Sequence, residues 1–394
     1  MRLFWVVLVC QALFSIALRG SRPIVSLYAD MMGASPLIIG LLLSSFALLP
    51  MLFAIQAGKW LDKFGAKRIA LFGSVGMLIS LTLPVIYPTL SMLFVNQFII
   101  GISHVCVLVS LQKTIGNLPG NRDFLIASFS IAGSIGEFIG PFFTGVLFEQ
   151  SGFRVTFFVM VIIVLITTLV VTMLPAKNKE DTGESSKSSE KKSSTLSMLK
   201  QVNLRKALII SGLVLYSKDL FVGYFPVYGN NIGLSPSQIG LIISLVSGMA
   251  VVVRMLQFTL VKKFGRSLVL LSTLMLSGIA FLLVPTSTSM ISLSIFALML
   301  GAGLGLGQPL SIVYTLNVSP VPRHGEVLGL RLTFNRGSQF VAPFVFGAIS
   351  QVAGIAPVFY LSGAFLLIGS YFTRMKEDND GDSGKQGFLK ERKG

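Results

Sequence analysis

The sequence predicts an all-α integral membrane protein of twelve transmembrane helices, built as two pseudo-symmetric six-helix bundles with both termini in the cytoplasm. Three observations carry that prediction. Of 394 residues, 53% are hydrophobic and only 12% are charged, with a mean hydropathy of +0.79, whereas a soluble domain holds about 25% charged residues. Apolar segments recur along the chain at the roughly 20-residue length that a helix needs to cross a bilayer. The two halves also repeat each other at an offset close to 200 residues.

Turn signals and charges divide the first half into segments near 4–29, 37–57, 69–87, 91–116, 124–149 and 154–175. Those of the second half lie near 206–229, 237–260, 267–285, 290–317, 326–351 and 357–374. Arg2 ahead of an apolar run suits a cleavable signal peptide, but the run continues past Arg19 and Arg22 to Ala29 and eleven more segments follow, so it is assigned as helix 1. Residues 176–195, AKNKEDTGESSKSSEKKSST, have too little apolar surface to order themselves and read as a tether within a linker spanning 176–205. The LSMLKQVNLRK that follows suits either an amphipathic surface helix or a solvated connector. Residues 375–394 read as a disordered tail, leaving bundles at 1–175 and 206–374.

The repeat is visible residue by residue. SPLIIGLLLSSFALL from Ser35 matches SPSQIGLIISLVSGM from Ser235, and Lys63, Phe64 and Gly65 match Lys263, Phe264 and Gly265. GSIGEFIGPFFTG from Gly133 matches NRGSQFVAPFVFG from Asn335, which aligns Pro141 with Pro343 at an offset of 202. Three matches in order along the chain indicate a duplicated unit, the design by which secondary transporters frame a central site between two halves.

The net charge of +16 does not indicate a nucleic-acid partner. Most Lys and Arg fall in the N-terminus, the even-numbered loops, the linker and the tail, whereas the opposite loops have almost none apart from Arg154. This asymmetry sets orientation. Cys10 and Cys106 fall within helices without metal-ligand spacing and are assigned to packing. No cofactor and no metal site are expected. GAGLGLGQPL at 301–310 lacks GxGxxG spacing, lies in an apolar helix and follows no strand, so it is assigned to helix packing rather than nucleotide binding. No Walker-type loop or hydrolytic triad is present, which argues against ATP-driven transport and against an enzyme.

GKWLDKFGAKR, 58–68, resembles the signature between helices 2 and 3 of the major facilitator superfamily, with Gly58, Asp62, Lys63, Gly65, Lys67 and Arg68 at its positions. The resemblance covers essentially the whole chain. It implies that Asp62 docks at the cytoplasmic start of helix 11 when that side is shut, where a helix N-terminus favours a carboxylate. On helix 5, Gly136, Gly140, Pro141 and Gly145, with Ala127 and Thr144 in place of two further glycines, resemble the motif of the family's proton-antiporting drug and metabolite exporters. Generic small-residue helix packing is the alternative. The usual helix 4 arginine of the family would fall at Gln97, four residues before Gly101, a departure that puts its usual proton route in doubt.

Six cations remain inside predicted helices: Arg19, Arg22, Lys218, Arg254, Arg331 and Arg336. At depth they face only Glu137 and Asp219, because Asp30, Glu149 and Glu326 lie near helix ends. Each such ion costs about 2.5–3.5 kcal/mol on insertion scales, so it is expected to face the bundle interior or a watery cavity. The resemblance implies a cavity lined by helices 1, 4, 7 and 10. Arg19 is expected to pair with Glu137 and Asp219 with Arg336, leaving Arg22, Lys218, Arg254 and Arg331 unpaired. All six cations, Arg19, Arg22, Lys218, Arg254, Arg331 and Arg336, with Gln308 and Tyr314, are the candidate substrate ligands; guanidinium grips carboxylate or phosphate bidentately. Snorkelling to water is the alternative for Arg254 and Arg331. Glu137, Asp219 and His104 are the proton-coupling candidates, with a packed neutral histidine equally suited to His104.

The sequence therefore points to a cell-membrane secondary transporter of a small anionic, zwitterionic or amphipathic compound, with proton-driven efflux by antiport as the first reading. A drug-like molecule or an amino-acid-derived metallophore fits that cargo. Its expected partners are that substrate, protons and the lipid bilayer, and it is expected to work as a monomer. An importer of organic carboxylates or organophosphates is the alternative within transport. A non-transporting membrane sensor or scaffold is the alternative from another class, disfavoured by the short linker and the lack of an added soluble domain.

Overall fold

A computed structural model of the protein describes residues 2–175, 201–317 and 324–372. The described residues are helical almost throughout: α1 Arg2–Met31, α2 Pro36–Phe64, α3 Ala66–Ile86 and α4 Leu90–Gly116. Arg122–Val171 is continuous in hydrogen bonding but turns at Gly152, whose φ of 76° and ψ of −179° divide it into α5, 122–151, and α6, 153–171. The second half runs α7 Val202–Asn231, α8 Pro236–Phe264, α9 Arg266–Leu283, α10 Met290–Asn317, α11 His324–Ala353 and α12 Ala356–Phe372. Helix α7 begins four residues before the expected 206 and takes in the end of LSMLKQVNLRK. The tether at 176–195 and the tail at 375–394 lie outside the described residues.

Among the described residues, nine helical stretches are long and apolar enough to cross a membrane, Phe124–Val171 counting as one; Ala356–Ser370 is a shorter apolar helix. Helix α11 is not among the nine. Its central Arg331, Asn335, Arg336 and Gln339 make it too polar to qualify by composition.

The duplication is legible in the helix ends. Ser35 and Ser235 are N-caps that accept from the amides of Ile38 and Gln238, and Pro36 and Pro236 open α2 and α8. Proline suits a first helical turn because its missing N–H has no partner to lose there. Gly65 and Gly265 take φ of 86° and 77° between α2 and α3 and between α8 and α9, a region that an L side chain enters only with strain. At the offset of 202, Gly152 and Gly354 share φ of 76° and 80°.

Two seams join the halves, α2 against α11 and α5 against α8, with α1 meeting α7 between them. A Cβ on Gly40 would overlap the Pro343 carbonyl, and one on Gly240 would overlap that of Pro141. The seams are thus equivalent under the duplication, and each depends on a glycine that lets two backbones touch.

Both close contacts lie toward the Ser35 and Ser235 end. Eighteen residues, about five turns, separate Gly40 from Gly58 on α2 and Gly347 from Gly329 on α11, so each pair shares one helix face. Yet a Cβ at Gly58 or Gly329 would meet nothing within 4 Å among the described residues, whereas Gly40 and Gly347 touch. On α8, Phe258 lies the same number of turns from Gly240 and is 78% exposed. The halves therefore close at the Ser35 and Ser235 end and part toward the Lys63 and Lys263 end. Gly240→Leu is expected to wedge the closed end apart by overpacking that costs about 1–3 kcal/mol. Labelling of a cysteine at Ser237 by an impermeant maleimide should rise severalfold, while Gly329→Ala leaves it unchanged; equal labelling in both would contradict this closure.

Candidate functional site

Four helices bring the central charges together. Arg19 and Arg22 are three residues apart on one face of α1, a spacing that places side chains side by side. They turn to different acids. Arg19 Nη2 lies 2.7 Å from Glu137 Oε1 on α5, and Arg22 Nη1 lies 2.9 Å from Asp219 Oδ1 on α7. Glu137 also takes Lys218, whose Nζ donates to Oε2 at 2.8 Å. The second Asp219 oxygen accepts from Gln339 Nε2 on α11, and Arg336 Nη1 donates to Gln339 Oε1 at 3.0 Å.

This corrects three sequence expectations. Arg22 and Lys218 are ion-paired, and Asp219 pairs with Arg22 instead of Arg336, which reaches it only through Gln339. The reason is that the halves meet at α1 and α7, so each half's acid serves the other half's cation. One signal in the sequence pointed to the partner. The offset of 200 maps Arg19 onto Asp219 and the offset of 202 maps Glu137 onto Gln339. The duplicated contact is kept, with the cation replaced by an acid and the acid by a neutral amide.

The pairs differ in access. The Arg22 and Asp219 side chains are only 5% and 7% exposed, and Phe46 covers the guanidinium, its centroid 4.4 Å from Cζ. Arg19, Glu137 and Lys218 retain 27%, 17% and 18% exposure. Arg331, 4% exposed, turns inward and donates to Gln308 Oε1 at 2.8 Å and Ser311 Oγ at 2.9 Å, which rules out snorkelling. Arg254 is held by its Nε donating to the Gly305 carbonyl at 3.0 Å. Gln308 also donates to the Ser211 carbonyl at 3.3 Å. The Tyr314 side chain lies outside the described residues.

His104 packs near Phe46, ring centroids 6.3 Å apart. Its Nδ1 is buried without a hydrogen-bond partner among the described residues. Gln97, at the position of the missing arginine, is buried and donates to Asn96 Oδ1 at 2.9 Å. No charge replaces the arginine there.

The helix 5 glycines divide their work between two neighbours. A Cβ at Gly136 would overlap Ser15, and one at Gly140 would lie 2.8 Å from the Ile16 carbonyl, so both serve α1. Gly145 faces Pro236 of α8. Thr144 Oγ1 donates to the Gly20 carbonyl at 3.0 Å. At the open end, Asp62 pairs with Lys113 of α4 at 2.7 Å, its side chain 75% exposed. Gly65 makes the turn into α3, and Lys63 lies over Phe64 at 5.3 Å. Lys67 and Arg68 follow in the first turn of α3. The first-turn side chains of α11, where Asp62 is expected to dock, lie outside the described residues.

Asp219→Asn would leave the Arg22 guanidinium buried without its carboxylate, a loss of about 3–5 kcal/mol. Arg22→Gln should cost a similar amount, and the double variant should recover at least about 1 kcal/mol through the coupling of contacting groups. Thermal unfolding of the detergent-purified variants measures both; additive losses would mean that the pair contributes no coupling.

The Major Facilitator Superfamily model matches residues 7–257 and 207–393. The chain is 24% identical over 356 residues to the uncharacterized MFS-type transporter MJ1560 of Methanocaldococcus jannaschii, covering 88% of this chain and 90% of that protein. It is 28% identical over 187 residues to the multi-drug resistance efflux pump PmrA of Streptococcus pneumoniae, 45% of each chain. Multidrug resistance protein 1 of Bacillus subtilis is 30% identical over 122 residues, 30% of this chain and 31% of that one. Among solved structures, the nucleoside transporter NupG superposes with a TM-score of 0.80 at 13% identity, covering 95% of this chain and 98% of its own. A POT family transporter in complex with 5-aminolevulinic acid superposes with a TM-score of 0.77 at 14% identity, covering 94% and 95%. Multi-pass membrane helices, duplicated halves and the family match together establish that this chain belongs to the Major Facilitator Superfamily, as a transporter and not an enzyme.

Proposed function

We propose that this transporter carries a small organic solute bearing carboxylate or phosphate across the cell membrane by alternating access. In this reading all twelve helices span the bilayer as two six-helix bundles, with both termini cytoplasmic. The basic Lys63 and Lys263 end then faces the cytoplasm, and the structure is open inward. The observation that carries the cargo chemistry is a surplus of cations. Arg254, Arg331 and Arg336 have no carboxylate at ion-pair distance among the described residues. Ions of one sign are retained at membrane depth when they meet a counter-charge from elsewhere, and an anionic or zwitterionic cargo supplies it.

For direction, export is supported by relatives named as efflux pumps, although those alignments span less than half of each chain. Uptake is the second reading, favoured by one observation: Glu137 is held by a cation from each half. The test begins with extracellular and intracellular metabolites of cells with and without the protein. The acid that changes is then offered to everted vesicles carrying an acidic-inside proton gradient. Proton-driven export predicts its accumulation there and uptake predicts its depletion. A cargo with no negative group would sink the anionic reading.

A further inference from the structure

From the geometry around Glu137 we infer a carboxylate subsite shared by the two halves, formed by Arg19 of α1 and Lys218 of α7, which Glu137 itself fills in this conformation. The inference rests on the anionic-cargo reading and adds to it the position of the cargo's carboxylate and the sign of its coupling to protons.

Each Glu137 oxygen is given to one cation: Oε1 to Arg19 at 2.7 Å and Oε2 to Lys218 at 2.8 Å. The two cations belong to different halves, so the carboxylate acts as a clasp between them. A cargo carboxylate has the same two oxygens at the same separation. The triad retains 17–27% side-chain exposure, while the chemically similar Arg22 and Asp219 pair is sealed at 5% and 7%. The exposed clasp is exchangeable and the sealed pair is structural.

Exchange requires Glu137 to leave both cations. The charges around it are all positive or occupied. Arg19 and Lys218 act on it directly and Arg254 of α8 adds a further cationic influence. His104 of α4 feels Glu137 electrostatically, and α3 has its charges, Lys67 and Arg68, in its first turn. Arg22 on α1 and Asp219 beside Lys218 on α7 are committed to each other, and Asp219 to Gln339 as well. An ionised Glu137 displaced from its cations would be a bare charge at membrane depth. A protonated one is neutral. One proton from water therefore goes to the Glu137 carboxylate as the cargo carboxylate takes both ion pairs, and the net charge of the clasp is unchanged.

Binding linkage is reciprocal: if the acid favours the proton, the proton favours the acid by the same factor. Proton and carboxylate then occupy the same conformation and cross together. Under an inward proton gradient that coupling drives uptake of a purely anionic cargo.

The test uses the full chain in nanodiscs, with acetate, benzoate and glutarate as probes. Calorimetry in two buffers of different ionisation enthalpy should show about one proton taken up per carboxylate seated in the clasp, with affinity rising about tenfold for each unit fall in pH while Glu137 is ionised. Glu137→Gln should bind with the low-pH affinity of the wild type at every pH and take up no proton. Arg19→Gln and Lys218→Gln should weaken binding. Binding without proton uptake, binding with proton release, or the wild-type pH dependence persisting in Glu137→Gln would overturn the subsite and leave the anion-carrier reading standing. Failure of all three acids to bind either wild type or Glu137→Gln would overturn both. If Glu137→Gln does not fold, the proton count on the wild-type protein decides alone.

Discussion

The structure depends on the cost of holding ions away from water. Two carboxylates at depth pair with three cations, and each makes one of its pairs across the boundary between the halves. Glu137 of the first half takes Lys218 of the second, and Asp219 of the second takes Arg22 of the first. Arg19 and Glu137 can pair within the first half, but Arg22, Lys218 and Asp219 gain their ion-pair partners only when the halves meet. The ion pairs that make these charges tolerable at depth therefore also hold the two halves together, and any motion between halves has to deal with them.

Around this charged centre the duplication supplies geometry. Gly40 and Gly240 admit the carbonyls of Pro343 and Pro141 at equivalent seams, and Asn230 donates to Asp30, its own equivalent at an offset of 200, at 2.7 Å. Contact between two equivalent positions places them on the pseudo-symmetry axis. Departures from symmetry concentrate where chemistry is expected. Glu137 corresponds to neutral Gln339, and Arg22 to Val222. The first half thus provides the exchangeable acid and the second half the surplus cations Arg254, Arg331 and Arg336.

Much of the fold was legible in the sequence because membrane helices announce themselves by composition. The Ser-Pro openings and the glycines at turns are readable for the same reason, since each follows from a backbone requirement at a known place. The site was legible only in part. Side-chain types and depth identified Arg19, Glu137, Lys218 and Asp219, and the Arg19 to Glu137 contact followed from neighbouring helices within one half. Partners across halves depend on how two bundles dock, which no local pattern encodes, and charge alone assigns Arg336 to Asp219 where the structure places Arg22. Position in the repeat pointed instead to Gln339, an uncharged partner that a search for opposite charges passes over. Burial of Arg331 against α10 was likewise invisible, because distance from a helix end does not reveal which way a side chain turns.

Gly152 and Gly354 have a mechanical consequence. With so little chain between α5 and α6, and between α11 and α12, neither α6 nor α12 has slack to stay behind when the helix before it tilts. Tilting of α5 or α11 thus carries with it the exposed apolar side chains of α6 and α12, Leu169 and Ile368 among them. The stiffness and thickness of the surrounding membrane therefore act as a load on the transport cycle.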